Sequence, residues 1–137
     1  MAKPKVLFLC TGNSCRSQMA EGLLRHLAGD RFEVVSAGTE PTSVNPLAVD
    51  TMREIGIDIS GQRSKSVRQF LGDYFTYVIT VCSSANERCP IFPGTVHRLH
   101  WPVEDPARAV ESDAERLPVF RRARDDLAQR IRDFIAE

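Results

Sequence analysis

The sequence predicts an α/β fold: an open four-stranded parallel sheet with helices on both faces. Short apolar runs alternate along the chain with longer stretches of helical periodicity, which is typical of such sheets. No internal repeat, low-complexity tract or linker interrupts this alternation. The length of 137 residues, with 42% hydrophobic and 26% charged residues, is typical of one soluble domain. We therefore expect residues 1–137 to form a single domain.

The first half of the chain predicts a strand, a helix, a strand and a helix, in that order. Their expected positions are residues 5–10, 14–27, 33–37 and 46–56. Asn45 is expected to cap the second helix, because its side chain can accept a hydrogen bond from a free amide in the first turn. Apolar spacings of three and four residues define the inward helix faces. These faces comprise Met19, Ala20, Leu23, Leu24 and Leu27 in one helix, and Ala48, Met52 and Ile55 in the other.

The second half predicts two more strands and a long terminal helix. A short helix is expected at residues 66–71, strands at 77–82 and 96–100, and the final helix at 117–135. The charged stretch 105–115 is expected to be a surface loop. The buried stripe of the final helix is expected to contain Leu117, Phe120, Leu127, Ile131 and Phe134.

Charge and cysteine content narrow the possible partners and compartments. Lysine plus arginine and aspartate plus glutamate each number 18, so net charge favours neither nucleic acid nor membrane as partner. No apolar run has transmembrane length, and the first five residues lead directly into a strand. We therefore expect a cytoplasmic protein. In that reducing compartment, four cysteines are more often catalytic, redox-active or metal-binding than paired in static disulfides.

Residues 10–17, Cys-Thr-Gly-Asn-Ser-Cys-Arg-Ser, carry the strongest chemical signal in the sequence. In a loop between a strand and a helix, their backbone amides can surround a tetrahedral anion at the positive end of the helix. Arg16 offers a planar fork to two anion oxygens. Cys10 lies in this positive field, which favours its thiolate and makes it a candidate nucleophile. The expected oxyanion-binding residues are Thr11, Gly12, Asn13, Ser14, Cys15 and Arg16.

A chance pairing of a buried cysteine with an arginine is the alternative for this motif. Gly12, Asn13 and Ser17 in the same strand-to-helix context argue against it. The Cys15 side chain is expected to be structural, with only its amide contributing to anion binding.

Two further reactive side chains follow predicted strands. Cys82 ends the third strand, and Asp105 comes soon after the fourth. Because parallel strands end at one edge of the sheet, we expect both residues near Cys10. For Cys82 and Cys89, zinc binding or inert burial is the alternative to a catalytic role. Their six-residue spacer is wider than usual zinc spacings and no histidine pair lies nearby, so we expect no metal.

These motifs resemble the low-molecular-weight protein tyrosine phosphatases, and in particular the thioredoxin-coupled arsenate reductases among them. Residues 10–22 carry without change the pattern of that branch, Cys-Thr-Gly-Asn-Ser-Cys-Arg-Ser-Gln-Met-Ala-Glu-Gly. The resemblance covers essentially the whole chain. The other matching positions are residues 36–38, 44–46, 57–60, Cys82, 89–90, 100–101 and 105–107.

The resemblance implies a reaction in which Cys10 attacks the arsenic of arsenate. Asp105 would act as general acid towards the departing oxygen, while Arg16 and the loop amides stabilise developing charge. Ser17 would donate its hydroxyl to the Cys10 sulfur and favour the thiolate.

The resemblance also implies a disulfide relay and a role in arsenical resistance. A Cys10–Cys82 disulfide would form as arsenite leaves, and Cys89 would then convert it into a Cys82–Cys89 disulfide. Thioredoxin, with electrons from NADPH through thioredoxin reductase, would reduce that bridge. No bound cofactor is implied, and we expect a monomer.

Two other functions remain open at this point. A low-molecular-weight tyrosine phosphatase would share the first chemical step, but such phosphatases usually have tyrosine after Asp-Pro, where this chain has Ala107. A non-enzymatic oxyanion- or arsenite-responsive binding protein would not need Asp105 as a general acid.

One position departs from the pattern of the resembled branch. Its members often bind a monovalent cation through Asn13, Ser36 and an aspartate, and Lys65 stands at the aspartate position. We hypothesise that the Lys65 ammonium takes the place of the cation and supports Asn13. The alternative is a Lys65 side chain that extends into solvent.

Overall fold

The computed structural model describes residues 3–82, 92, 95–106 and 112–137. Within these residues, four parallel strands form a sheet in the order β2-β1-β3-β4. The strands are β1 (Lys5–Cys10), β2 (Glu33–Gly38), β3 (Phe75–Thr80) and β4 (Thr95–His100). The helices are α1 (Arg16–Ala28), α2 (Pro46–Arg53) and α3 (Asp113–Ala136), with a short 3₁₀ helix at Val67–Phe70. This architecture confirms the fold class predicted from the sequence.

The two faces of the sheet bury different residues of β1, because successive side chains of a strand point to opposite sides. Phe8 and its neighbours on one face pack against α1, α2 and α3. Leu7 and Leu9 on the other face pack with Phe92 and against the 3₁₀ helix. In the described part of the chain, the three α-helices therefore share one face and the 3₁₀ helix covers the other. None of the described helices has both the length and the apolar character needed to cross a membrane.

The register of the sheet brings three chain segments to one edge. The last residue of β1, Cys10, is paired with Gly38 at the end of β2. On the other side, the amide of Val81 donates to the Leu9 carbonyl over 2.9 Å, which continues the ladder beyond β3. The amide of Trp101 donates to the Thr80 carbonyl over 2.8 Å and does the same beyond β4. The segments leading to Cys82 and to residue 105 therefore start next to the end of β1.

Helix α2 begins as predicted. Pro46 is its first residue, and the Asn45 side chain accepts a hydrogen bond from the Leu47 amide at 2.9 Å. Ala48 and Met52 are buried, whereas Ile55 is 42% exposed because the helix ends at Arg53, before that residue. The prediction for Ile55 was therefore wrong.

The inward face of α1 was also predicted one residue too long. Leu27 is 43% exposed, although the other four residues of that face are buried. It lies in the last turn of the helix, where apolar spacing continues beyond the reach of the core.

The third strand and the final helix both begin earlier than predicted. β3 spans Phe75–Thr80, while Val81 and Cys82 are wholly buried just beyond it. An apolar run indicates burial, and burial continues here after regular strand pairing ends. Helix α3 begins at Asp113, within the expected loop at 105–115, because the Ser112 side chain accepts from the Glu115 amide and caps it.

Candidate active site

Hydrogen bonds from a neighbouring segment of the chain fix the backbone of the loop between β1 and α1. The carbonyl oxygens of Thr11, Gly12 and Ser14 accept hydrogen bonds at 2.9–3.1 Å from the amides of residues 40, 42 and 45. In a planar peptide, the next amide points away from the carbonyl. The amides of residues 12, 13 and 15 therefore face the opposite side of the loop, as an anion-binding nest requires. Asn13 has φ of 48°, a left-handed conformation that asparagine tolerates better than most residues.

Gly38 allows the end of β2 to pack directly against this loop. A Cβ atom at that position would lie 2.4 Å from the Thr11 carbonyl oxygen and 2.9 Å from the Asn13 amide nitrogen. Only a residue without a side chain permits this approach. No sequence pattern marks Gly38 as part of the site, because this contact depends on strand pairing.

The Cys10 sulfur has a hydroxyl partner at the start of α1. Cys10 Sγ lies 2.8 Å from Ser17 Oγ, and both residues are buried. Asn13 Nδ2 donates to the same hydroxyl oxygen over 2.7 Å. Because that oxygen accepts from Asn13, the Ser17 hydrogen can point to the sulfur, where it stabilises a thiolate.

Arg16 joins the loop to both other segments at this edge of the sheet. Its Nη1 donates to the carbonyl oxygens of Val81 at 3.2 Å and Val103 at 3.0 Å. Its Nη2 lies 3.6 Å from Asp105 Oδ2. Cys82, next to Val81, is wholly buried. The structure thus brings Cys10, Arg16 and Asp105 together with the Cys82 segment.

Of the two remaining cysteines, Cys15 and Cys89, only Cys15 lies within the described residues. Burial raises the pKa of the Cys15 thiol to about 12, so that thiol stays protonated and unreactive near neutral pH. Its Sγ lies 3.5 Å from Ser14 Oγ. Cys89, the proposed last thiol of the relay, lies outside the described residues.

Lys65 lies within a buried polar group beside Asn13. Asn13 Nδ2 donates to Ser36 Oγ over 2.9 Å, and Ser36 donates to Glu21 Oε1 over 2.6 Å. Lys65 Nζ lies 3.5 Å from the same Glu21 oxygen, and its side chain is only 19% exposed. Lys65 therefore does not simply extend into solvent. Because its ammonium already supplies positive charge there, an added monovalent cation would be repelled.

Two contacts of glutamine side chains were not predicted from the sequence. Gln18 contacts Asn13, and Gln62 contacts Gln18. Gln18 lies inside the motif at residues 10–22, but its partners at 62 and 63 are distant in sequence, so no local pattern reveals the contact. Within the part of the chain that the structure describes, no group of three or more His, Cys, Asp or Glu side chains is arranged to hold a metal ion.

A parallel sheet with a Cys-x5-Arg loop between its first strand and helix defines the phosphatase-like class of oxyanion-binding proteins. The family described as low molecular weight phosphotyrosine protein phosphatase matches residues 5–137. The arsenate reductase of Halalkalibacterium halodurans is 49% identical over 134 residues, covering 98% of this chain and 96% of the relative. The chain belongs to the low-molecular-weight phosphotyrosine protein phosphatase family, and the resemblance to its arsenate reductase branch is confirmed.

Solved structures agree with this assignment. An arsenate reductase in the phosphate binding state superposes with a TM-score of 0.81 at 38% identity, covering 97% of each chain. A thioredoxin-dependent arsenate reductase of Corynebacterium glutamicum superposes with a TM-score of 0.74 at 32% identity. That match covers 98% of this chain and 61% of the Corynebacterium chain.

Proposed function

We propose that this protein reduces arsenate to arsenite, with Cys10 as the nucleophile and thioredoxin as the reductant. The observation that carries the proposal is the hydrogen bond between Cys10 and Ser17. These two residues lie at the two ends of a loop whose amides can bind a tetrahedral anion. Arsenate has nearly the shape and charge of phosphate. The 49% identity to an arsenate reductase over almost the whole chain supports this substrate.

In the first step, the Cys10 thiolate attacks arsenic and an arsenate oxygen departs. The departing oxygen is that of an arsenate hydroxyl, so one proton from Asp105 allows it to leave as water. Arg16 and the loop amides stabilise the negative charge on the remaining oxygens. The 3.6 Å approach of Arg16 to Asp105 supports this division of roles, because both groups then face the same anion.

In the second step, the Cys82 thiolate attacks the Cys10 sulfur. The electron pair of the sulfur–arsenic bond stays on arsenic, so As(V) becomes As(III) while two thiols become one disulfide. The Arg16 bond to the Val81 carbonyl supports this step, because it ties the residue next to Cys82 to the loop. A Cα separation below about 7 Å is required for the bridge.

In the third step, Cys89 attacks Cys82, releases Cys10 and carries the disulfide towards the surface. Cys10 and Cys82 are both buried, so a disulfide between these two residues is out of reach of a protein reductant. This burial gives a third thiol a clear purpose. Thioredoxin, supplied by NADPH through thioredoxin reductase, would then reduce the Cys82–Cys89 disulfide. The thioredoxin dependence of the Corynebacterium relative supports the choice of reductant.

The remaining parts of the proposal concern the protein as a whole. We propose that it acts as a single-domain monomer in the cytoplasm, without a bound cofactor. A reducing compartment suits the mechanism, because every turnover must start from free thiols.

Phosphatase activity is the second candidate, because the family includes phosphotyrosine phosphatases and the first step is shared. The Cys10, Arg16 and Asp105 arrangement would serve either reaction. Ala107, which separates this sequence from the usual phosphatase pattern, lies outside the described residues.

The test measures NADPH consumption with arsenate, thioredoxin and thioredoxin reductase, beside aryl phosphate hydrolysis by the same samples. We expect multiple turnovers in the parent and none in Cys82→Ser or Cys89→Ser. Hydrolysis of the aryl phosphate should be weak and unchanged in both variants. No arsenate turnover in the parent, with brisk hydrolysis in all three proteins, would identify a phosphatase instead.

A further inference from the structure

Gln18 is a wholly buried polar residue whose side chain is hydrogen-bonded to both the backbone and the side chain of Asn13. Gln18 Nε2 lies 3.0 Å from the Asn13 carbonyl oxygen and 2.9 Å from Asn13 Oδ1. It also lies 2.8 Å from the Arg63 carbonyl oxygen. A buried amide with this many acceptors around its nitrogen has only one favourable orientation.

Two side chains nearer the surface, Gln62 and Arg25, determine the orientation of the Gln18 amide. Arg25 Nη1, which can only donate, lies 3.2 Å from Gln62 Oε1. This leaves Gln62 Nε2 to donate to Gln18 Oε1 at 2.7 Å and to the Gln18 carbonyl oxygen at 3.1 Å. Both side-chain amides therefore accept a hydrogen bond on the oxygen and donate from the nitrogen.

The same direction continues from Asn13 to the nucleophile. Asn13 Oδ1 accepts from Gln18 and from the Lys65 amide at 2.8 Å, so its nitrogen must face Ser17. Asn13 Nδ2 donates to Ser17 Oγ, and the Ser17 hydroxyl is 2.8 Å from Cys10 Sγ. An unbroken series of donors thus runs from the Arg25 guanidinium, through three side-chain amides and one hydroxyl, to the sulfur.

We propose that Gln18 is a positioning residue for the nucleophile, with Gln62 and Arg25 setting the orientation of its amide. Gln18 clamps the backbone and the side chain of Asn13 together in the left-handed conformation. Asn13 then holds the Ser17 hydroxyl with its hydrogen towards Cys10. The inference rests on the proposed function, since it concerns the thiolate that attacks arsenic.

The hydrogen bonds from Gln18 to Asn13 should influence how the reactivity of Cys10 depends on pH. Without them, Asn13 and Ser17 spend less time in the donating geometry, and the thiolate loses part of its hydrogen bond. Loss of one neutral hydrogen bond predicts a roughly two- to tenfold slower reaction of Cys10 near pH 7. At alkaline pH the rate should return to that of the parent.

The test follows alkylation of Cys10 by iodoacetamide between about pH 5 and pH 10, with the labelled peptide quantified by mass spectrometry. Gln18→Met keeps the length and bulk of the side chain but removes its donors. Ser17→Ala removes the direct partner of the sulfur and serves as the positive control. Leu24→Val, buried in the same helix but outside the donor series, is the matched control for lost packing.

We expect the pH midpoint of Cys10 alkylation to rise in Ser17→Ala and in Gln18→Met, and to stay unchanged in Leu24→Val. Gln62→Met, at a half-buried position further from the sulfur, should give a smaller rise in the same direction. If Gln18→Met does not fold, Gln62→Met decides the question. A midpoint equal to that of the parent in a folded Gln18→Met protein, or in Gln62→Met if only that variant folds, would overturn the proposal.

The alkylation assay uses neither arsenate nor thioredoxin, so its outcome is independent of the proposed reaction. A shifted midpoint together with failure to reduce arsenate would refute the proposed function and leave the positioning role intact. A uniform loss of rate at every pH in Gln18→Met would indicate general damage to the loop and would count against positioning.

Discussion

Nη2 of Arg16 lies 3.6 Å from Oδ2 of Asp105, and Nη1 of the same guanidinium donates to the carbonyl oxygen of Val103. One side chain at the start of α1 therefore contacts both the carboxylate and the backbone of the segment after β4. The arginine is 3% exposed and the aspartate 21% exposed. An anion bound by Arg16, as proposed, would therefore lie within reach of this carboxylate.

Replacement of Asp105 by asparagine should remove the proposed general acid while keeping the shape of the side chain. We expect arsenate turnover to fall by about 10²- to 10⁴-fold, the usual range for loss of a positioned proton donor. Asp73→Asn, an exposed position after the 3₁₀ helix, is the matched control and should retain full turnover. Undiminished turnover in Asp105→Asn would show that another group protonates the departing oxygen.

Replacement of Gly38 by alanine should distort the loop that we propose binds the anion. The added Cβ would lie 2.4 Å from the Thr11 carbonyl oxygen, so the loop or the end of β2 must shift. We expect weaker phosphate binding by calorimetry and a free energy of unfolding lower by about 1–3 kcal/mol.

Gly61→Ala provides the control for this substitution. A Cβ at Gly61 would meet nothing within 4 Å, so neither phosphate binding nor stability should change appreciably. Equal effects of the two substitutions would mean that Gly38→Ala does not act through the loop.

Replacement of Lys65 by aspartate should make the enzyme responsive to potassium. In the parent, the Lys65 ammonium lies 3.5 Å from Glu21 Oε1, and its charge disfavours a bound cation. In Lys65→Asp, two carboxylates would lie beside Asn13 and Ser36 and would attract one. The measurement is arsenate turnover as potassium chloride replaces choline chloride at constant ionic strength. Strong specific stimulation of the parent itself would contradict this account.

The contact between α2 and α3 gives a prediction for stability against pH. Hydrogen bonds and charge from Arg121 and Arg124 lower the pKa of Glu54 from 4.5 to about 2. An acid with a lowered pKa in the folded state contributes stability above its unfolded pKa, and the contribution is lost as the group is protonated. The contribution should therefore be complete above about pH 5 and disappear between pH 4.5 and about 2.

Thermal unfolding of the parent and Glu54→Gln tests this expectation. The parent should have the higher Tm at neutral pH, and the two values should converge as pH falls from 4.5 to about 2. Glu33→Gln, an exposed position at the start of β2, should follow the parent throughout. A constant difference in Tm over that range would mean that ionised Glu54 is not the stabilising species.

Local sequence patterns were sufficient for most of the elements. The bounds of β1, the Asn45 cap and the first residue of α2 were predicted correctly, because each depends on neighbours within a few residues. The capping sequence Ser112-Asp113-Ala114-Glu115 was equally local and was overlooked within the charged stretch, so the start of α3 was misplaced. Leu27 and Ile55 were predicted inward by spacing alone, although spacing does not show where the core ends.

The sequence by itself determined the parallel fold and the loop that joins Cys10 to Arg16. Apolar periodicity selects the elements, and the loop chemistry is encoded in consecutive residues. Tertiary structure alone decided which distant groups complete the site. Gln62 reaches Gln18, Gly38 meets Thr11, and Arg16 binds the carbonyls of Val81 and Val103. These contacts arise because parallel strands end at one edge and bring together segments that no sequence neighbourhood connects.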